Sequence, residues 1–108
     1  MSIETERQQA VVVVSRFAVA NGMTAEVREA FRSRPHLVDD AEGFLRMEVI
    51  SPQDRPEEIW LMTWWRSEQD YRVWHRGHSY RASHSGMPKG LRLDPRSTEI
   101  RIFDHVCS

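Results

Sequence analysis

The side chains best equipped for chemistry gather in one stretch, Trp64 to Lys89 (WWRSEQDYRVWHRGHSYRASHSGMPK), which holds three of the four tryptophans and three of the five histidines. Indole rings offer flat apolar surface to a ligand, while imidazole titrates, ligates metals and shuttles protons near neutral pH. A second oddity lies far upstream. Ser15 interrupts the most apolar run of the chain, VVVVSRFAV (Val11 to Val19), and in a strand it shares a face with Val11, Val13 and Phe17. Such a hydroxyl most often bonds nearby backbone. If its face meets the helices, it looks into an apolar chamber instead.

The histidines are not equivalent. His75, His78 and His84 invite a metal reading, but Gly77 breaks the helix between them and no Cys or acidic residue stands at zinc-motif spacing. His75 and His78 read as solvated residues at a helix end, where the helix dipole favours them. His84 follows Tyr80 by four positions on a short helical turn, which directs it toward the interior. Trp64 and Trp65, adjacent on a strand, must face opposite ways, one toward the helices and one toward a partner subunit. There is no glycine-rich phosphate loop, no Gly-x-Ser-x-Gly elbow and no Cys-His pair, so nucleotide hydrolysis and acyl transfer by those routes have no support. Asp39, Asp40 and Glu42 read as a solvated turn.

The elements that must position these residues follow from periodicity. Val11 to Val19 is β-branched and apolar at both parities, a strand buried on both faces and ended by Asn21-Gly22. Thr24 is the expected N-cap of a helix running to about Ser33, with Pro35 beyond it. After a polar turn at Asp39 to Gly43, Phe44 to Ser51 alternates Leu45, Met47 and Val49 against Arg46 and Glu48. Glu58 to Trp65 is the next strand, joined to the last by a hairpin. Ser67 with Asp70 resembles a capping box opening a second helix through Tyr71, Val73 and Trp74, stopped or bent at Gly77. A short helical piece from Ser79 to His84 comes next, and Ser97 to Val106 is a last strand with Ile100 and Ile102 opposite Glu99, Arg101 and Phe103.

Strand, helix, strand, strand, helix, strand is an α+β order. It predicts the ferredoxin-like split βαβ arrangement, an antiparallel sheet with helices on one face. A first strand apolar on both sides then needs cover on its other face, and a second copy packing sheet to sheet supplies it, so a homodimer is expected. With 108 residues and 40% hydrophobic content the chain makes one domain, residues 10 to 108, behind a mobile polar lead-in at 1 to 9. Fifteen basic against 16 acidic residues leave a formal charge of -1, which gives no global field for nucleic acid or an anionic membrane. The polar start and the lack of a long apolar run point to a cytoplasmic protein without a membrane span. Cys107 has no intramolecular partner, which fits a reducing compartment.

Three segments, VSRFAVANG, AEGFLRMEV and WWRSEQDYRVWHRGHSYRASH, resemble the antibiotic biosynthesis monooxygenase superfamily of dimeric α+β barrels, and within it the haem-degrading monooxygenases of the IsdG type. The resemblance covers residues 11 to 106. In the haem-degrading members a Trp of the second helix and a His ten positions later act together, the His ligating iron and the Trp pressing on the porphyrin. Trp74 and His84 stand in that relation here. In a continuous helix ten residues turn about 1000°, leaving the two side chains about 80° apart and able to border one pocket.

Those members also carry an Asn on the first strand seven positions before a Gly; this chain has Ser15 seven before Gly22. The resemblance thus implies haem as both substrate and cofactor, with molecular oxygen, His84 as proximal iron ligand, Trp74 distorting the macrocycle, Ser15 as distal polar contact and Phe17 as pocket wall. Arg81, Lys89 or Arg92 would meet the propionates. An external electron donor is required, since no flavin or nicotinamide motif is present. The change from amide to hydroxyl at Ser15 keeps two other readings in view: a cofactor-independent monooxygenase of quinols or polyphenols with His84 as general base, and a dimeric module that binds or senses haem without degrading it.

Overall fold

The computed structural model describes residues 10–34, 36–77 and 86–108. Its elements are β1 (Val11–Ala18), α1 (Thr24–Arg32), a 3-10 turn (Leu37–Asp40), β2 (Phe44–Ile50), β3 (Glu58–Trp65), α2 (Glu68–His75) and β4 (Glu99–Asp104). The four strands form one sheet in the order β2-β3-β1-β4, with every neighbouring pair antiparallel. With the two helices this is the ferredoxin-like α+β architecture expected from the sequence. The lead-in at 1 to 9, Pro35, His78, Arg81, His84 and the helical piece expected at Ser79 to His84 lie outside the described residues.

Strand parity sorts the side chains as β-branched alternation demands. On the helix side Val11 and Val13 of β1 are buried with Val38 and the fully buried Trp65, and Ala41, Phe44, Met47, Tyr71, Trp74 and Ile102 close round them. A second cluster, Val19, Val27 and Ile59, lies further along the sheet with Phe17, Met23, Phe31 and Val49. The opposite face carries Val12, Val14, Arg16, Met62, Trp64, Arg101 and Phe103, side by side in register.

Several local expectations are corrected. Thr24 is the first helical residue, and Met23 occupies the cap position with no side-chain hydrogen bond. In β2 the register shifts between Phe44 and Arg46, so Leu45 is an extra, bulged residue, 45% exposed, and Phe44 takes the inward place assigned to it. Asp39, Asp40 and Glu42 are exposed, as a solvated turn requires, but Val38, on which the sequence pattern is silent, plugs the core from the same 3-10 turn. Ser67 does cap α2: its Oγ accepts from the Asp70 amide at 3.1 Å. The Asp70 side chain packs instead on Gly43, whose φ of +80° and lack of Cβ let the chain pass, while the Gly43 carbonyl accepts from the Arg66 amide at 2.8 Å.

Candidate functional site

Ser15 sits in a seam. Across the sheet it lies opposite Leu61 on one side and Ile100 on the other, and none of the three belongs to either core cluster. One cluster holds α2, the other α1, so the row of Ser15 separates the ground beneath the two helices. Ser15 is half-buried, and its hydroxyl makes no hydrogen bond among the described residues. A strand serine commonly satisfies itself on backbone; this one is left with donor and acceptor capacity above an apolar floor.

Phe17, the next inward residue of β1, walls the seam on the α1 side and packs on Phe31 with ring centroids 6.4 Å apart. On the α2 side stands an aromatic block. Trp65 is gripped edge-on by Phe44 (5.5 Å) and Tyr71 (5.8 Å), its ring tilted 33° to that of Trp74 at 6.5 Å, and its Nε1 donates to Thr63 Oγ1 at 2.8 Å. Trp74 is therefore half-buried and held from beneath by a ring that cannot move, the condition for a rigid flat contact.

A cleft of about 360 Å³ runs between α2 and β4, lined by Tyr71, Arg72, His75, Arg76, Ile100 and Ile102. It shares Ile100 with the Ser15 row. Ile100 is 50% exposed, a large apolar side chain with no cover among the described residues. His75, read from sequence as a solvated helix-end residue, is exposed at the C-terminal end of α2 as expected, yet it lines this cleft with its ring 5.6 Å from that of Tyr71. The signal was there: Tyr71 and His75 are four apart on one helix face, and Ile100 and Ile102 share strand parity. Of the three clustered histidines only His75 is described, and no group of three potential metal ligands occurs among the described residues.

The loop that carries Lys89 and Arg92 is pinned to the far end of β1, where the Ala20 amide donates to the Arg92 carbonyl (2.8 Å) and the Asp94 amide to the Ala18 carbonyl (2.9 Å). Both basic side chains are exposed there. Ser15, Phe17 and the cleft lining are thus brought to one face of the sheet with Trp74 beside them, whereas the relation of His84 and Arg81 to them lies outside the described residues.

The four-stranded antiparallel sheet with its two helices defines the ferredoxin-like α+β class, a fold that hosts several chemistries. Residues 10–86 match the family model for antibiotic biosynthesis monooxygenases, and the chain belongs to that family. It is 29% identical over 94 residues to a haem oxygenase (mycobilin-producing) of Mycobacterium tuberculosis, an alignment covering 87% of this chain and 85% of that one. Among solved structures it resembles the haem-degrader MhuD of M. tuberculosis, with two haems bound in its active site, at a TM-score of 0.69 and 25% identity over 91% of this chain and 97% of that one. The cofactor-independent oxygenase SnoaB of Streptomyces nogalater shares the fold, with a TM-score of 0.70 and 19% identity over 88% and 91% of the two chains. No helix among the described residues is long and apolar enough to cross a membrane.

Proposed function

We propose that this monooxygenase binds haem in the seam beside α2 and oxidises it with electrons from an external donor. The observation that carries the reading is the Ser15 hydroxyl, half-buried between Leu61 and Ile100 and without a hydrogen bond among the described residues, in a chain whose relatives include haem oxygenases. The apolar floor suits a porphyrin plane, and exposed Lys89 and Arg92 at the end of β1 suit its carboxylates.

When bound and reduced, haem iron supplies the oxygen chemistry. The chain's own part is positional. His84 is assigned as the iron ligand and Arg81 as a propionate partner, both from the family resemblance. Trp74, braced by Trp65, would supply the rigid flat contact to the macrocycle that the family resemblance implies. Ser15 would offer a proton donor and an acceptor to the bound group, and Phe17 with Ile100 would supply apolar walls that the group itself covers. The open sheet face, with Trp64, Met62 and Phe103 aligned across it, is assigned to a homodimer packed sheet to sheet.

Haemin titration of the purified protein tests this. A Soret band that shifts on binding and is lost or displaced in His84→Ala is the expected result; an unchanged free-haemin spectrum overturns it. Addition of ascorbate in air should then bleach the band. Serine reaches less far than an amide, which favours a second reading in which haem is held but not degraded, and a complex that survives ascorbate and oxygen would select it.

A further inference from the structure

On the far side of α1 from the seam lies a groove of about 510 Å³ with a different character. Its floor is Phe31, Val49 and Ile59, its wall is Pro52 and Pro56 of the β2–β3 hairpin, and Arg28 stands at its edge. Arg28 is half-buried. Its Nη2 donates to Ser51 Oγ at 2.9 Å and to the Pro56 carbonyl at 3.1 Å, both neutral acceptors. Its Nε is sealed from solvent with no partner, and Nη1 has none among the described residues. Glu58, at the start of β3, turns its carboxylate to the other face of the sheet, where it accepts from Trp60 Nε1 at 2.6 Å and approaches Arg16.

Among the described residues no carboxylate lies against this half-buried guanidinium, and burial makes such a charge expensive unless an anion joins it. One helical turn on, Arg32 also borders the groove, its only ion pair among the described residues a 3.7 Å contact to Glu29 at an exposed position. We infer that this groove is a second small-molecule site, taking an organic carboxylate with a flat apolar body: the carboxylate meets Arg28, and the body lies on Phe31, Val49 and Ile59 between the two prolines. Guanidinium and carboxylate match in shape as well as charge, and prolines give a wall that loses little entropy on binding. The site is separate from the Ser15 seam and holds whether or not that seam takes haem.

The test is an amide-resolved NMR titration of the whole chain with 2-naphthoate and, in parallel, with neutral 2-naphthamide. Saturable shifts at Arg28, Phe31, Ser51 and Gln53 with naphthoate are expected, with naphthamide needing about tenfold more ligand, the scale of one charge-assisted contact. Arg28→Gln should abolish the difference and Arg28→Lys should keep part of it. Because Arg28 also ties down the hairpin, the comparison of the two ligands on the unsubstituted protein decides the matter even if the variants fold poorly. Equal affinity for acid and amide, shifts that map to Ser15 and α2, or no saturable shift would each overturn the proposal.

Discussion

Trp64 and Trp65 are neighbours in sequence, and they live in different solvents. Trp65 is fully buried among Phe44, Tyr71 and Trp74, with its N–H answered by a buried threonine. Trp64 lies on the open face with the Arg46 guanidinium 4.1 Å above its ring. The pattern repeats across that face: Arg16 lies 5.6 Å from the Trp60 ring and Arg101 5.0 Å from that of Phe103. These arginines are paired in turn, Arg46 with Glu48 at 2.8 Å and Arg16 with Glu99 at 2.8 Å. The covered face keeps its rings dry by packing; the open face keeps them soluble by laying cations over them.

The contrast can be broken deliberately. Trp65→Ala should have the largest effect, about 3–5 kcal/mol of unfolding free energy, because the cavity is enclosed on every side; urea denaturation monitored by circular dichroism measures it. Trp64→Ala should cost about 1 kcal/mol in dilute protein, where the ring is already half-hydrated. At higher concentration its penalty should grow if the proposed homodimer forms through this face, because dimerisation links stability to concentration, and sedimentation velocity should then show weakened association. Arg46→Ala removes only the cation over a ring and its exposed pair with Glu48, so about 0.5 kcal/mol is expected. A Trp64→Ala loss that matches Trp65→Ala in dilute protein would erase the distinction between the faces.

Much of this was legible in the sequence because strand parity is a geometric rule. The opposite facing of Trp64 and Trp65, the inward Ile100 and Ile102, the span of β3 and the Ser67 cap all follow from local spacing. What failed did so where a local rule was overridden from a distance. Leu45 fits alternation perfectly well, but the bulge at Phe44 adds a residue and turns it outward. Val38 hides among aspartates in a turn, and only the tertiary contact with Trp65 reveals it as core. In the site, Ser15 was recognised as anomalous from its strand, yet that its hydroxyl would lack a partner depends on Leu61 and Ile100, which come from two other strands. The reading of His75 as an exposed helix-end residue holds; that it also lines a cleft depends on β4 side chains, Ile100 and Ile102, which are remote in sequence.

The sheet order has one more consequence. β1 is the central strand, hydrogen-bonded to β3 on one side and to β4 on the other, with Val11 opposite Asp104. In the order of synthesis β1 therefore waits for β4 before its backbone is fully paired, and until then its Val-rich edge is open to any other nascent chain.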